Sequence, residues 1–283
     1  MKKVKYIFSL FVLFCSSFVN AQNGLENVIV EKYYVSDAND TSVNKFGGSL
    51  AIGSTTYRIY LDLLPGYRFQ AAYGTSTHEL RLETATLFYN NGEIGDIIPN
   101  AIPYNSLSKN TTMLDSWLSV GSAAEDCFGV LKNDDDSLLT VVHEKSFLQN
   151  KSFNGIPISF KDGLVESDKI PRPTFFNIDS AVTVFSNTKK GGYFFTDNGA
   201  WACMGPGSVG IDSLTNNRVL IAQITTDGDF SFELNIQIGT PIKGESQKYV
   251  ARDPINKEIL LPSLIFDSRS FNKKNPKKRK SKK

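Results

Sequence analysis

Apolar and polar residues alternate along most of this chain with a period of two, the repeat of a strand that buries one face. Glu26–Val35 alternates around Val28, Val30 and Tyr33. Ser49–Ile52 and Thr55–Leu64 follow. In the second of these, Tyr57, Ile59 and Leu61 share one face while Tyr60 and Asp62 take the other. Pro65-Gly66 is a turn pair, after which Tyr67–Tyr73 resumes the pattern. Leu80–Tyr89 alternates again and stops at Asn90-Asn91-Gly92. Later, Arg218–Thr225 and Asp229–Gly239 flank Thr226-Asp227-Gly228, which predicts a hairpin with the glycine at positive φ. No segment carries helical periodicity with caps. Many short strands at this spacing predict an all-β fold, a β-sandwich or jelly-roll-like body. Gly92–Thr112 and Phe147–Thr174, rich in Pro, Asn and Gly, are predicted as two long loops, where binding surfaces concentrate.

The N-terminus breaks this pattern. Lys2, Lys3 and Lys5 precede an uncharged, mostly apolar run from Tyr6 to Val19, and Val19-Asn20-Ala21 offers a small residue for cleavage before Gln22. Residues 1–21 therefore predict a secretory signal peptide, since the run is shorter than the roughly 20 residues a permanent span needs. Cys15 suggests a lipoprotein signal, but the preceding Phe14 is too large for one. No later segment is long and apolar enough to cross a membrane, so the exported chain is expected to be soluble or peripherally attached, in the periplasm or at the cell surface. Residues 22–271 are expected to form one β-sandwich domain and 272–283 a disordered basic tail.

The net charge of +2 conceals a division. Of the 31 Lys and Arg, three lie in the leader and eight in Asn272–Lys283. The remaining 20 face all 29 Asp and Glu, so the body is near −9 and the tail near +8. The run Lys277, Lys278, Arg279, Lys280 would contact an anionic polymer or membrane surface, with an attraction that falls in salt. Cys127 and Cys203 remain after leader removal; in an oxidising compartment they are a candidate disulfide, with two buried thiols as the alternative.

Catalytic motifs fail on spacing. His78-Glu79 and His143-Glu144 lack the second histidine of a helical zinc-protease motif, and Pro206 replaces the first glycine of a nucleophile elbow around Ser208. Asp134, Asp135 and Asp136, with Asn133, cluster oxygen ligands suited to calcium; Asp37, Asn39 and Asp40 form a second such group. Trp117 and Trp201, if exposed, would stack on sugar rings, with Asp115, Glu125 and Asp126 near Trp117 as carboxylates for a glycan site.

Five strings occur in a familiar order: GLENVIVEKYY from Gly24, TTYRIYLDLLPGYRFQAAYG from Thr55, MLDSWLSVG from Met113, GAWA from Gly199 and RVLIAQITTDGDFSFELNIQIG from Arg218. Over nearly the whole exported chain they resemble a secreted β-rich domain family of Bacteroidota and other marine bacteria, frequent among cargo of the type IX secretion system. The resemblance implies export towards the cell surface and brings no activity or site residue with it. Such cargo usually ends in a β-rich sorting domain, whereas a basic arm follows the body here, so periplasmic residence stays open. The expected function is a non-enzymatic binding or adhesion module of the cell envelope. A carbohydrate-binding or carbohydrate-degrading protein is the alternative.

Overall fold

A computed structural model describes residues 23–43, 49–107, 109–131 and 163–273. The leader, the Asn133–Asp136 cluster, most of the second predicted loop and the basic run Lys277–Lys280 lie outside the described residues. In chain order the strands are β1 (Leu25–Val35), β2 (Thr55–Leu63), β3 (Arg68–Gly74), β4 (Leu80–Thr84), β5 (Trp117–Leu118), β6 (Ser122–Ala124), β7 (Cys127–Gly129), β8 (Leu164–Glu166) and β9 (Pro173–Phe176). They continue with β10 (Tyr193–Thr196), β11 (Gly199–Cys203), β12 (Asn217–Thr226), β13 (Phe230–Glu233), β14 (Ile236–Gly239), β15 (Ser246–Val250), β16 (Ile259–Leu260) and β17 (Ile265–Asp267). One short helix, α1 (Ser268–Lys273), follows. The fold is all-β and sandwich-like, as the alternation predicts.

The strands pair in four sheets, ordered β1-β2-β12-β5, β10-β4-β13-β17, β16-β15-β14-β3-β11-β9 and β6-β7-β8. The second and third are one surface interrupted at a corner: the neighbours β13-β4-β10 reappear across it as β14-β3-β11. This bent layer packs its inner face on β1-β2-β12-β5. Between them lies the main core, with Tyr57, Ile59, Leu61, Val219 and Ile224 on one side and Phe194, Trp201, Phe232 and Ile236 on the other.

The first sheet is covered on its other face too. Tyr33, Tyr60 and Leu220 join Leu114, Trp117, Ala124 and Cys127 in a second core, closed by short 3-10 turns at Pro99–Ala101, Tyr104–Ser106 and Asn110–Leu114 and by β6-β7-β8. β2 and β12 are consequently buried almost end to end, although alternation alone would put one face in water. That second face carries Arg58 into the interior. Its Nε donates to Gln223 Oε1 at 2.8 Å, its Nη1 to the Gly163 carbonyl at 2.8 Å, and the guanidinium lies 3.6 Å from the centre of the Tyr33 ring. A buried charge is tolerable only when satisfied in this way.

Three expectations are corrected. Thr226-Asp227-Gly228 is not a hairpin: β12 pairs with β2 and β5, while β13 pairs with β4 and β17, so the turn carries the chain between layers. Gly228 is not among the glycines at positive φ, whereas Gly66 in the Pro65-Gly66 turn is, at 86°. Ser49–Ile52 forms no strand. The predicted loop ending at Thr174 contains β8 and the start of β9.

Candidate functional site: an aromatic surface at the sheet corner

The corner arises from a local surplus of chain. Thr196 pairs with Leu80 and Gly199 with Gly74, so two residues of the β10–β11 side oppose five of the β3–β4 side, a surplus of three. The surplus forms a tight turn in which Thr75 and His78 bond each other's backbone at 2.8 and 3.0 Å. Bending a sheet leaves ladder groups unpaired, and such groups need other partners. Asn235, between β13 and β14, supplies them. Its Nδ2 donates to the carbonyls of Tyr73, His78 and Glu79 at 3.2, 3.1 and 2.9 Å, and its Oδ1 accepts from Ala251 N at 3.3 Å. His78 Nε2 contacts Glu258 Oε2 at 2.8 Å, and the same oxygen accepts from Ile255 N, so the loop before β16 is tied to the corner.

The outer surface at this corner holds a shallow, open cleft of about 500 Å³ lined by Thr75, Ser76, Asp197 and Asn198. Every lining side chain carries a hydroxyl, amide or carboxylate. Aromatic side chains stand on the strands that lead into it. On β10, Phe194 points into the core while Tyr193 and Phe195 point outward, their rings 5.9 Å apart at centroid and tilted by only 10°. Tyr193 is 54% exposed. Beyond the cleft, Phe176, Ala200 and Tyr73 form a row across β9, β11 and β3, with Phe176 44% exposed. The small alanine leaves the space between the two rings open. Burial, with the charge of Glu258, pushes the Tyr73 phenol well above its ordinary pKa, so it stays protonated; its hydroxyl has no hydrogen-bond partner among the described residues.

The tryptophans that would stack on sugars if exposed are buried instead. Trp117 and Trp201 are 1% and 0% exposed, Trp201 packing edge-on to Phe194 at 5.9 Å. Their size and apolarity are used in the two cores. The carboxylates placed near Trp117 do not converge either. Asp115 is buried and accepts from the amides of Asn91 and Asp96 at 2.6 and 2.9 Å, whereas Glu125 and Asp126 are exposed in the turn between β6 and β7. Burial drives the Asp115 carboxyl well above the usual range against the pull of those amides.

The disulfide expectation is also overturned. Cys127 and Cys203 are both free thiols, the first in the second core and the second against the main core, on opposite sides of β1-β2-β12-β5. Burial, with Glu166 and Asp126, pushes the Cys127 thiol up to about 12; burial also raises Cys203. Asp40 belongs to a structural turn, its Oδ2 accepting from the Tyr34 hydroxyl at 2.7 Å and the Asp37 amide at 2.9 Å. No group of three or more His, Cys, Asp or Glu among the described residues is placed to hold a metal. The calcium candidates Asp134, Asp135 and Asp136 and the basic residues Lys277, Lys278, Arg279 and Lys280 fall outside the described residues.

The outward aromatics had a sequence signal that alternation contains. In Tyr193-Phe194-Phe195 three aromatics stand in a row, and a strand can turn only the middle one or the outer two towards a core. Comparison with protein-family models, with curated proteins and with solved structures finds no match to this chain.

Proposed function

We propose that this protein is an exported binding module of the cell envelope whose body recognises a hydroxyl-rich polymer, a glycan, at the sheet corner. The observation that carries the reading is the near-parallel outward pair Tyr193 and Phe195 beside a cleft of hydroxyl, amide and carboxylate groups. Sugars present apolar C–H faces and polar edges, and a ring next to convergent donors and acceptors matches both. A phosphate-rich ligand suits this body poorly, because residues 22–271 hold 29 acids against 20 basic residues. Export, envelope residence and an anionic partner for the basic tail belong to the same proposal and rest on the leader and on the run Lys277–Lys280. Among the described residues no helix is long and apolar enough to cross a membrane, which is compatible with it.

The test is a glycan array followed by calorimetry on the best ligand. Tyr193→Ala and Phe195→Ala should each weaken binding by about tenfold, the loss of roughly 1.4 kcal/mol of stacking, with unchanged thermal stability. An array without hits, or full affinity in the double variant, rejects the corner as the site.

A further inference from the structure

The opposite end of the sandwich has a different chemistry. There β2 turns into β3, β11 into β12 and β14 into β15, and the register brings the three connections together. Gly239 pairs with Arg68, Ser208 bridges to Phe69, and Asn217 Nδ2 donates to the carbonyls of Leu64 and Tyr67 at 3.0 and 2.9 Å. On these connections Met204, Ile211, Leu214 and Ile242 are 63%, 44%, 80% and 61% exposed. Single exposed aliphatics are ordinary on any surface. Here four of the eleven large exposed apolar side chains of the described residues gather at one end, with Pro65, Pro206 and Pro241 exposed between them.

The tips are held rather than loose. Gly66, Gly205, Gly207 and Gly244 adopt φ of 86°, 79°, 94° and 86°, conformations that turn the chain sharply and push neighbouring side chains outward. Thr240 N bonds the Glu245 carbonyl at 3.1 Å, Glu245 N bonds that of Ile242 at 3.1 Å, and Asn216 N bonds that of Asp212 at 2.9 Å.

We infer that this crown of aliphatic tips docks on a lipid bilayer surface, independently of the glycan reading at the other end. Two features select lipid over a protein surface. Met204, Ile211 and Leu214 are spread along the connection from β11 to β12 and Ile242 caps that from β14 to β15, with polar backbone between them, a shape that inserts between headgroups rather than mating with a flat patch. Lys243 and Arg68 stand exposed beside the tips, where headgroup phosphates would lie. Of the nearby acids, Asp62 is engaged by Arg218 at 3.3 Å, while Asp212, which accepts from the Thr215 hydroxyl, and Glu245 are exposed.

The experiment is flotation of the chain from Gln22 to Lys283 with vesicles of phosphatidylcholine and phosphatidylethanolamine, which carry no net charge and so silence the basic tail. The expected result is co-flotation, reduced at least about tenfold by Met204→Ser, Leu214→Ser and Ile242→Ser combined, with glycan binding and thermal midpoint retained. Absence of the protein from the vesicle fraction overturns the inference, as does unchanged flotation of the triple variant. A dimer that the triple variant dissolves overturns it in favour of a second copy of this chain.

Discussion

Asp115 shows how one buried side chain can be misread from sequence and still be decisive. Beside Trp117 it looks like a candidate catalytic acid, yet its two oxygens are spent on the amides of Asn91 and Asp96, which fix the loop leading from β4 to the 3-10 turns. Because burial raises its pKa above the unfolded value near 4, the folded state holds this proton more tightly than the unfolded chain does. The contribution is fully present below the unfolded pKa and is lost as pH rises through the folded one. Asp115→Asn keeps the shape but turns an NH2 towards an amide donor, at a cost of about 1–3 kcal/mol. Thermal denaturation between pH 4.5 and 7.5 should show the gap between wild type and Asp115→Asn narrowing as pH rises. A gap that widens would mean that the amides outweigh burial. None of this is legible beforehand, because an acid in a loop and an acid that pins a loop have the same sequence. The tryptophans were hidden for a related reason: stacking on a sugar and filling a core ask for the same flat apolar ring, and only burial separates the two uses.

At the scale of elements, alternation located strands well and partners poorly. β1, β2, β3 and β12 begin and end within a residue or two of their predicted limits, because a half-buried strand writes its faces into its own sequence. Which strand lies alongside is written elsewhere. Thr226-Asp227-Gly228 has the composition of a hairpin turn, yet the residues that settle its fate are Phe230 and Phe232, which pack with Phe266 of β17 in the opposite layer at ring separations of 5.9 and 5.3 Å. The break between β13 and β14 depends on a single side chain. Asn235→Ala removes donors to three carbonyls and an acceptor for Ala251, and should cost about 2–4 kcal/mol. A fall in Tm of roughly 5–10 °C in calorimetry would match that figure, and no change would show that water replaces the amide at the corner. The Tyr193 and Phe195 pair was within reach of the sequence, since three successive aromatics on a strand must expose at least one; the cleft beside it was not, because a three-residue surplus between two strands is visible only once their partners are known.

For the whole molecule, charge and shape divide the work. The aromatic corner and the aliphatic crown lie at opposite ends of the acidic body, and the basic run at Lys277–Lys280 adds a further element known from sequence alone. If that run holds the protein on an anionic envelope polymer, the intact chain should sit in the envelope fraction of native cells at low salt. It should be released by about 0.5 M salt or by ending the chain at Phe271. Equal amounts of both forms in the soluble fraction at low salt would remove the tail from the proposal. The doubly covered sheet has a consequence of another kind. β1-β2-β12-β5 is a wall shared by two cores, with Ile59 on one side and Arg58 and Tyr60 on the other, so neither compartment can melt while its neighbour stands. A defect introduced under the 3-10 turns would be felt by the same ladder that supports the aromatic corner. The protein would then lose the aromatic corner all at once, as a single cooperative unit, rather than fraying towards it from the far side.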